Sequence, residues 1–149
     1  MLVVSALATL RLLAQPGGAP AALPMRVTGT VERLEKLPSK HVAPRYLDVW
    51  LPPEYAAPKA KKRRYPVIYV HDGQNLFDPE AIWGGWHLQD TVPPDVLLVG
   101  VDNTVDRMSD YTHVQDDIGG GPIGGEGEAY AQLVDTVIRP RIEAAYEIG

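Results

Sequence analysis

YPVIYVHDGQNLFD, residues 65–78, decides how this chain is read. Its first half, Tyr65-Pro66-Val67-Ile68-Tyr69-Val70, is a continuous apolar run of β-branched and aromatic residues. Such a run fits a strand buried on both faces, as in a parallel sheet. His71-Asp72-Gly73 then ends the strand with turn chemistry. A sharp turn at that point leaves backbone N–H groups free at the carboxyl edge of the sheet, where ligands of parallel sheets bind. Donors placed there can hold a developing oxyanion. The plainer reading is a turn in which Asp72 and Gly73 only satisfy backbone geometry, and the residues alone leave both open.

On either side of this stretch the sequence alternates strand and helix signals. Met25 to Leu37 reads as a strand, Pro38 and Pro44 bracket a loop, and Tyr46 to Leu51 is a second strand that Pro52-Pro53 ends by withholding backbone donors. Downstream, a short helix is expected from Trp83 to Val92, stopped by Pro93-Pro94, and a second buried strand from Asp95 to Asp102. Asn103 to Gly125 is polar and glycine-rich, long enough to suggest a functional loop. Glu126 to about Tyr146 carries Tyr130, Leu133, Val134, Val137, Ile138 and Ile142 at helical spacing, with Pro140 expected to kink it. This order predicts an α/β fold with a mostly parallel sheet flanked by helices.

Bulk properties narrow the function. The 149 residues are 45% hydrophobic and 22% charged, as in ordinary globular domains. A formal charge of -5 argues against nucleic acid as a partner, because phosphate binding needs a concentrated basic surface. The basic cluster Lys59 to Arg64 precedes an apolar run and reads as a solvated loop. With no cysteine, a disulfide framework, a thiolate zinc site and a cysteine nucleophile are all excluded.

Residues 1–24 are apolar, then small, then rich in Pro and Gly. They are read as a candidate signal peptide or a disordered tail ahead of a domain at 25–149, too short to span a bilayer. A signal would place the protein in the periplasm or outside the cell; otherwise the expectation is cytoplasmic.

Several patterns carry less. Gly119 to Gly124 matches a dinucleotide-binding run, but a long polar segment separates it from the nearest strand, so a nucleotide-binding domain ranks last among the readings. His87 with Asp90, and His113 with Asp116 and Asp117, lack metal-site patterns, so neither a metal nor a cofactor is expected.

Taken together, HDGQNLFD, Trp86 with Asp90, VGVDNTVDRMSDYT at 99–112, the glycine-rich stretch and EAYAQLVDTVIRPRIEAAY at 128–146 resemble, in order and spacing, the amino-terminal half of the esterase D and enterochelin (ferric enterobactin) esterase-like group of α/β-hydrolases. The resemblance implies a serine carboxylesterase acting on a small-molecule ester through a Ser-His-Asp triad. It makes the backbone N–H of Gln74 the candidate oxyanion donor, with Gly73 forming the turn. It also sets His71, Asp72, Asn103, Arg107 and Tyr111 beside the substrate pocket, where Arg107 either holds a polar group of the ester or pairs with Asp106 or Asp110. Trp83 and Trp86 either line an aromatic site or pack in the core.

The nucleophile of that fold sits in a GxSxG turn, and none of Ser5, Ser39 and Ser109 has glycine two residues away. The chain is therefore expected to be a fragment that stops before the nucleophile strand and is inactive alone. A non-catalytic binding module or pseudo-enzyme of the same fold is the alternative. In that fold the strand Tyr65–Val70 lies beside the nucleophile strand, so a bare edge is expected there.

Overall fold

The computed structural model describes residues 21–23, 26–57, 63–82 and 85–149. The candidate signal in the first twenty residues, Trp83 and most of the basic loop lie outside the described residues. No helix among the described residues is long and apolar enough to cross a membrane.

Five strands form the main sheet: β1 (Ala21–Ala22), β2 (Thr30–Leu34), β3 (Leu47–Leu51), β4 (Val67–His71) and β5 (Leu97–Val101), in the spatial order β1-β2-β3-β5-β4. Ala21 and Ala22 pair with Arg33 and Glu32, so the sheet begins before the expected boundary at residue 25. Only β4 and β5 run parallel, in the register Val67↔Leu97 to His71↔Val101; every other pairing is antiparallel. The expectation of a mostly parallel sheet is thus corrected to a mixed one. Among the described residues no α-helix lies between β2 and β3 or between β3 and β4. Parallel pairing is confined to β4 and β5, whose connection, residues 72–96, is long enough to cross over and return in the same direction.

The strands β3 and β5 form the floor of the core, with all five residues of each buried. One face carries Leu47, Val49, Leu97, Val99 and Val101 against Tyr130, Leu133, Ile138 and Ile142 of the carboxyl-terminal helical segment. The other carries Trp50 and Leu98 against Leu76 and Phe77. β4 differs. Its residues are half-buried or exposed, Ile68 being 43% exposed, because β5 covers only one of its edges. The expectation of burial on both faces fails there. Beyond the strand itself, Tyr65 forms a parallel bridge to Ile148: its N–H donates to the Glu147 carbonyl, and its own carbonyl accepts from Gly149.

Three further expectations change. In place of a helix from Trp83 to Val92, the described part holds a single 3-10 turn, Leu88–Asp90. Left-handed backbone at Gly85 and His87 stops a helix from propagating through them. The segment after β5 is not one long loop: it forms a short helix, α1 (Arg107–Asp110), and a hairpin of β6 (Gln115–Asp117) and β7 (Pro122–Gly124). The last helix divides into α2 (Gly127–Leu133), a π-helical turn (Val134–Ile138) and α3 (Arg139–Ala145). Pro140 lies in the first turn of α3, where its missing N–H costs least, and the widened turn before it absorbs the change of register.

Candidate functional site

The carboxyl ends of β4 and β5 lie side by side, which brings together residues distant in sequence. After His71 the chain turns at Asp72, in the left-handed region with φ of 57°, and enters a short 3-10 turn, Gly73–Asn75. Gly73 is required for closeness rather than for an unusual φ. A Cβ there would lie 2.5 Å from the Gly100 carbonyl carbon and 2.6 Å from the Val101 nitrogen, so the turn rests directly on β5.

Asp72 is the centre of the site. Its carboxylate accepts from Arg107 Nε at 2.8 Å and Nη2 at 2.7 Å, and from the Asn103 amide at 2.7 Å. The Tyr111 hydroxyl sits 3.4 Å from both the Asp72 N–H and its Oδ1. The Arg107 guanidinium also lies over the Tyr111 ring, 5.0 Å from its centroid. The bidentate contact from Arg107, more than any other cause, holds the Asp72 carboxyl below the usual carboxylate range. Gln74 joins the same network from its side chain, with Oε1 accepting the backbone N–H of Asn103 at 3.1 Å. The N–H groups of Gly73 and Gln74 make no hydrogen bond to another described residue.

The residues singled out in the sequence therefore assemble, although Arg107 does not pair as expected. Its partner is Asp72, while Asp110 pairs with Arg45 at 3.1 Å, both side chains being 2% exposed. Arg45 lies 4.9 Å from the Tyr130 ring centroid. Neither Arg45 nor Tyr130 stood out in the sequence as a site residue, since each has an ordinary reading beside a strand or on the apolar face of a helix. Tyr130 places its hydroxyl 2.8 Å from His71 Nδ1, and the rings of His71, Tyr111 and Tyr130 lie 5.2 to 5.3 Å from one another. Burial pushes the phenol groups of Tyr111 and Tyr130 up, so both remain neutral donors at ordinary pH.

Two clefts flank the site. One, of about 550 Å³, is lined by Tyr69, His71, Tyr111, Tyr130, His113 and Val134, and opens beside the free edge of β4. The other, of about 600 Å³, has Gln74 in its wall with Arg26, Arg33, Asp48 and Asp78. Gln74 and Tyr111 thus face different clefts while being joined through Asp72 and Asn103. Trp86 is half-exposed, and its backbone N–H donates to the Asn75 carbonyl. Ser109 Oγ accepts the Gly124 N–H at 3.3 Å. Asp117 Oδ1 takes the N–H groups of Gly119 and Gly121, which occupies the glycine run that a phosphate would need. Among the described residues no group of three or more His, Asp or Glu side chains could hold a metal ion.

No family model matches this chain, and no curated protein matches it. Solved structures do. An IroE-like serine hydrolase from Shewanella oneidensis superposes with a TM-score of 0.61 and 27% identity, over 79% of this chain and 39% of that one. The BES protein from Bacillus cereus gives 0.58 and 24% identity, over 82% of this chain and 48% of that one. The siderophore hydrolase EstB from Aspergillus nidulans gives 0.55 and 15%, over 89% and 48%. The chain spans less than half the length of each of these structures. With its mixed sheet, the protein has an esterase-like hydrolase fold.

Proposed function

We propose that this chain is the amino-terminal part of a serine hydrolase that cleaves carboxylic esters of small molecules. It supplies the oxyanion turn and one wall of the substrate cleft, while the nucleophile belongs to sequence after Gly149. The observation that carries this reading is the turn Asp72–Asn75. It lies at the carboxyl ends of β4 and β5, is fixed in place by hydrogen bonds, and leaves the N–H groups of Gly73 and Gln74 without a partner among the described residues. Preorganised donors of this kind contribute on the order of 3–4 kcal/mol to stabilising a tetrahedral oxyanion. The open edge of β4, with Ile148 already paired in parallel to Tyr65, supports a further strand on that side. Such a strand would end next to His71 and the turn that follows it.

Ser109 is no substitute nucleophile. It sits in α1 with its oxygen on the Gly124 N–H, and the hydrogen bonds of that oxygen include no base. This same observation keeps a second reading in play, a binding module of the same fold without chemistry. Hydrolysis of activated aryl esters separates the two. The expected outcome is no turnover above background by the 149-residue chain and turnover by the chain continued through its reading frame. Inactivity of both, with ester binding retained, selects the binding module. Turnover by the short chain that disappears in Ser109→Ala overturns the proposal.

A further inference from the structure

We propose that Asp72 is a positioning residue whose carboxylate, gripped by Arg107, Asn103 and Tyr111, locks the Gly73–Asn75 turn to the segment 103–111; neither Asp72 nor Arg107 is a contact for substrate. This rests on the reading of that turn as the oxyanion donor. It changes the role of Arg107 from an anchor for an acidic substrate group to one half of an internal clamp.

Three observations converge. First, Asp72 is 8% exposed, and each of its oxygens is engaged: Oδ1 by Arg107 Nε, Asn103 Nδ2 and the Tyr111 hydroxyl, Oδ2 by Arg107 Nη2. A carboxylate so filled has little capacity left for a ligand. Second, the guanidinium presents its Nε–Nη2 fork to Asp72 and its face to Tyr111, so turning that fork onto a substrate anion would mean breaking a charge-assisted pair. Third, Asp72 stands at φ of 57°, a conformation that a non-glycine residue holds only when its surroundings determine it. The next residues carry the two N–H groups that have no partner among the described residues, and Gln74 Oε1 receives the N–H of Asn103, so the clamp closes around the turn from both sides.

Amide hydrogen exchange tests the clamp directly. The reporters are Asn75 and Leu76, whose N–H groups donate to the Asp72 and Gly73 carbonyls, and Asn103, whose N–H donates to Gln74; Val99 in β5 serves as the internal control. Asp72→Gly keeps the left-handed backbone without strain and deletes the carboxylate, while Asp72→Asn keeps the shape and deletes the charge. Both are expected to speed exchange at Asn75, Leu76 and Asn103 by about tenfold or more, with Val99 unchanged. Arg107→Gln is expected to act in the same direction, and the double variant Asp72→Asn with Arg107→Gln to be no worse than the worse single one. Wild-type protection in Asp72→Gly would show that only the backbone conformation matters and overturns the clamp. Loss of protection extending to Val99 overturns it too, since the residue would then serve the whole fold.

A second arm reads the catalytic consequence in the chain continued through its reading frame. There Asp72→Asn is expected to lower kcat by about a hundredfold and to leave KM within about twofold. Raised KM with unchanged kcat would make Arg107 a substrate contact after all and overturn the proposal. A loosened turn with both constants unchanged would keep the clamp and overturn the oxyanion reading, so the two failures are distinguishable.

Discussion

β4 and β5 are adjacent, parallel and alike in composition, yet they live in different environments. β5, Leu-Leu-Val-Gly-Val, has strands on both sides and every residue buried. β4, Val-Ile-Tyr-Val-His, has one neighbour in the sheet, and each of its residues is half-buried or exposed. An apolar run states what a strand is suited to; whether it is covered depends on which neighbours are present. An uncovered apolar edge is also a template for pairing with another chain.

Large-to-small substitutions in the two strands are the sharpest way to break this contrast. Leu97→Ala deletes a fully buried side chain and should cost about 2–5 kcal/mol, whereas Ile68→Ala, at a site 43% exposed, should cost well under half as much. Urea unfolding of both variants measures this. Equal losses would mean that β4 is covered in solution.

The contact between the turn and β5 is the next test. Gly73→Ala would drive a Cβ into the backbone of Gly100 and Val101, and should cost about 1–3 kcal/mol while shifting the Asn75 and Leu76 resonances. An unaltered melting curve and spectrum would show that the turn does not rest on β5 as described.

Charge on the β5 side gives a smaller, pH-dependent effect. Asp102 follows β5 with its Oδ1 buried and without a hydrogen-bond partner among the described residues, near Asp48, which is itself taken by Arg33. Burial, reinforced by the Asp48 charge, pushes the Asp102 carboxyl up to about 7. The native state therefore keeps a proton that the unfolded chain has already released. Stability should fall as pH rises from about 4 to about 7, and flatten above that. Asp102→Asn should remove this fall and be the more stable protein at pH 8 by on the order of 1–2 kcal/mol, screening included. Parallel pH profiles of the two proteins would contradict the assignment.

The smallest effect is expected at the start of β4, where Arg63 and Asp95 pair at 2.8 Å with both side chains about half-exposed. Arg63→Ala should change stability by no more than about 0.5 kcal/mol, and less in high salt.

The main strands were legible in the sequence because β3, β4 and β5 are short apolar runs bounded by Pro, Gly and Asp. The sheet's direction was not, because composition does not distinguish a parallel neighbour from an antiparallel one. The missed hairpin at residues 115–124 pairs a polar, exposed strand, Gln115–Asp117, with the three residues Pro122–Gly124, too short to give a period-two signal. At the site, the resemblance named Asp72, Asn103, Arg107 and Tyr111, which the structure brings into contact with one another. It could not reveal that Arg107 pairs with Asp72, since that contact joins residues 35 apart across a sheet edge. Arg45 and Tyr130 escaped notice for the same reason: what they do depends on three-dimensional contacts with Asp110 and His71.

The central claim is that this chain carries the oxyanion turn of an ester hydrolase while the nucleophile lies elsewhere in the protein. Labelling with a serine-directed fluorophosphonate, followed by mapping the modified residue by mass spectrometry, tests it most directly. The account predicts no labelling of Ser5, Ser39 or Ser109 in the 149-residue chain, and stoichiometric labelling of one serine after Gly149 in the chain continued through its reading frame. Stoichiometric labelling of Ser109, or a longer chain that takes up no label, would contradict it.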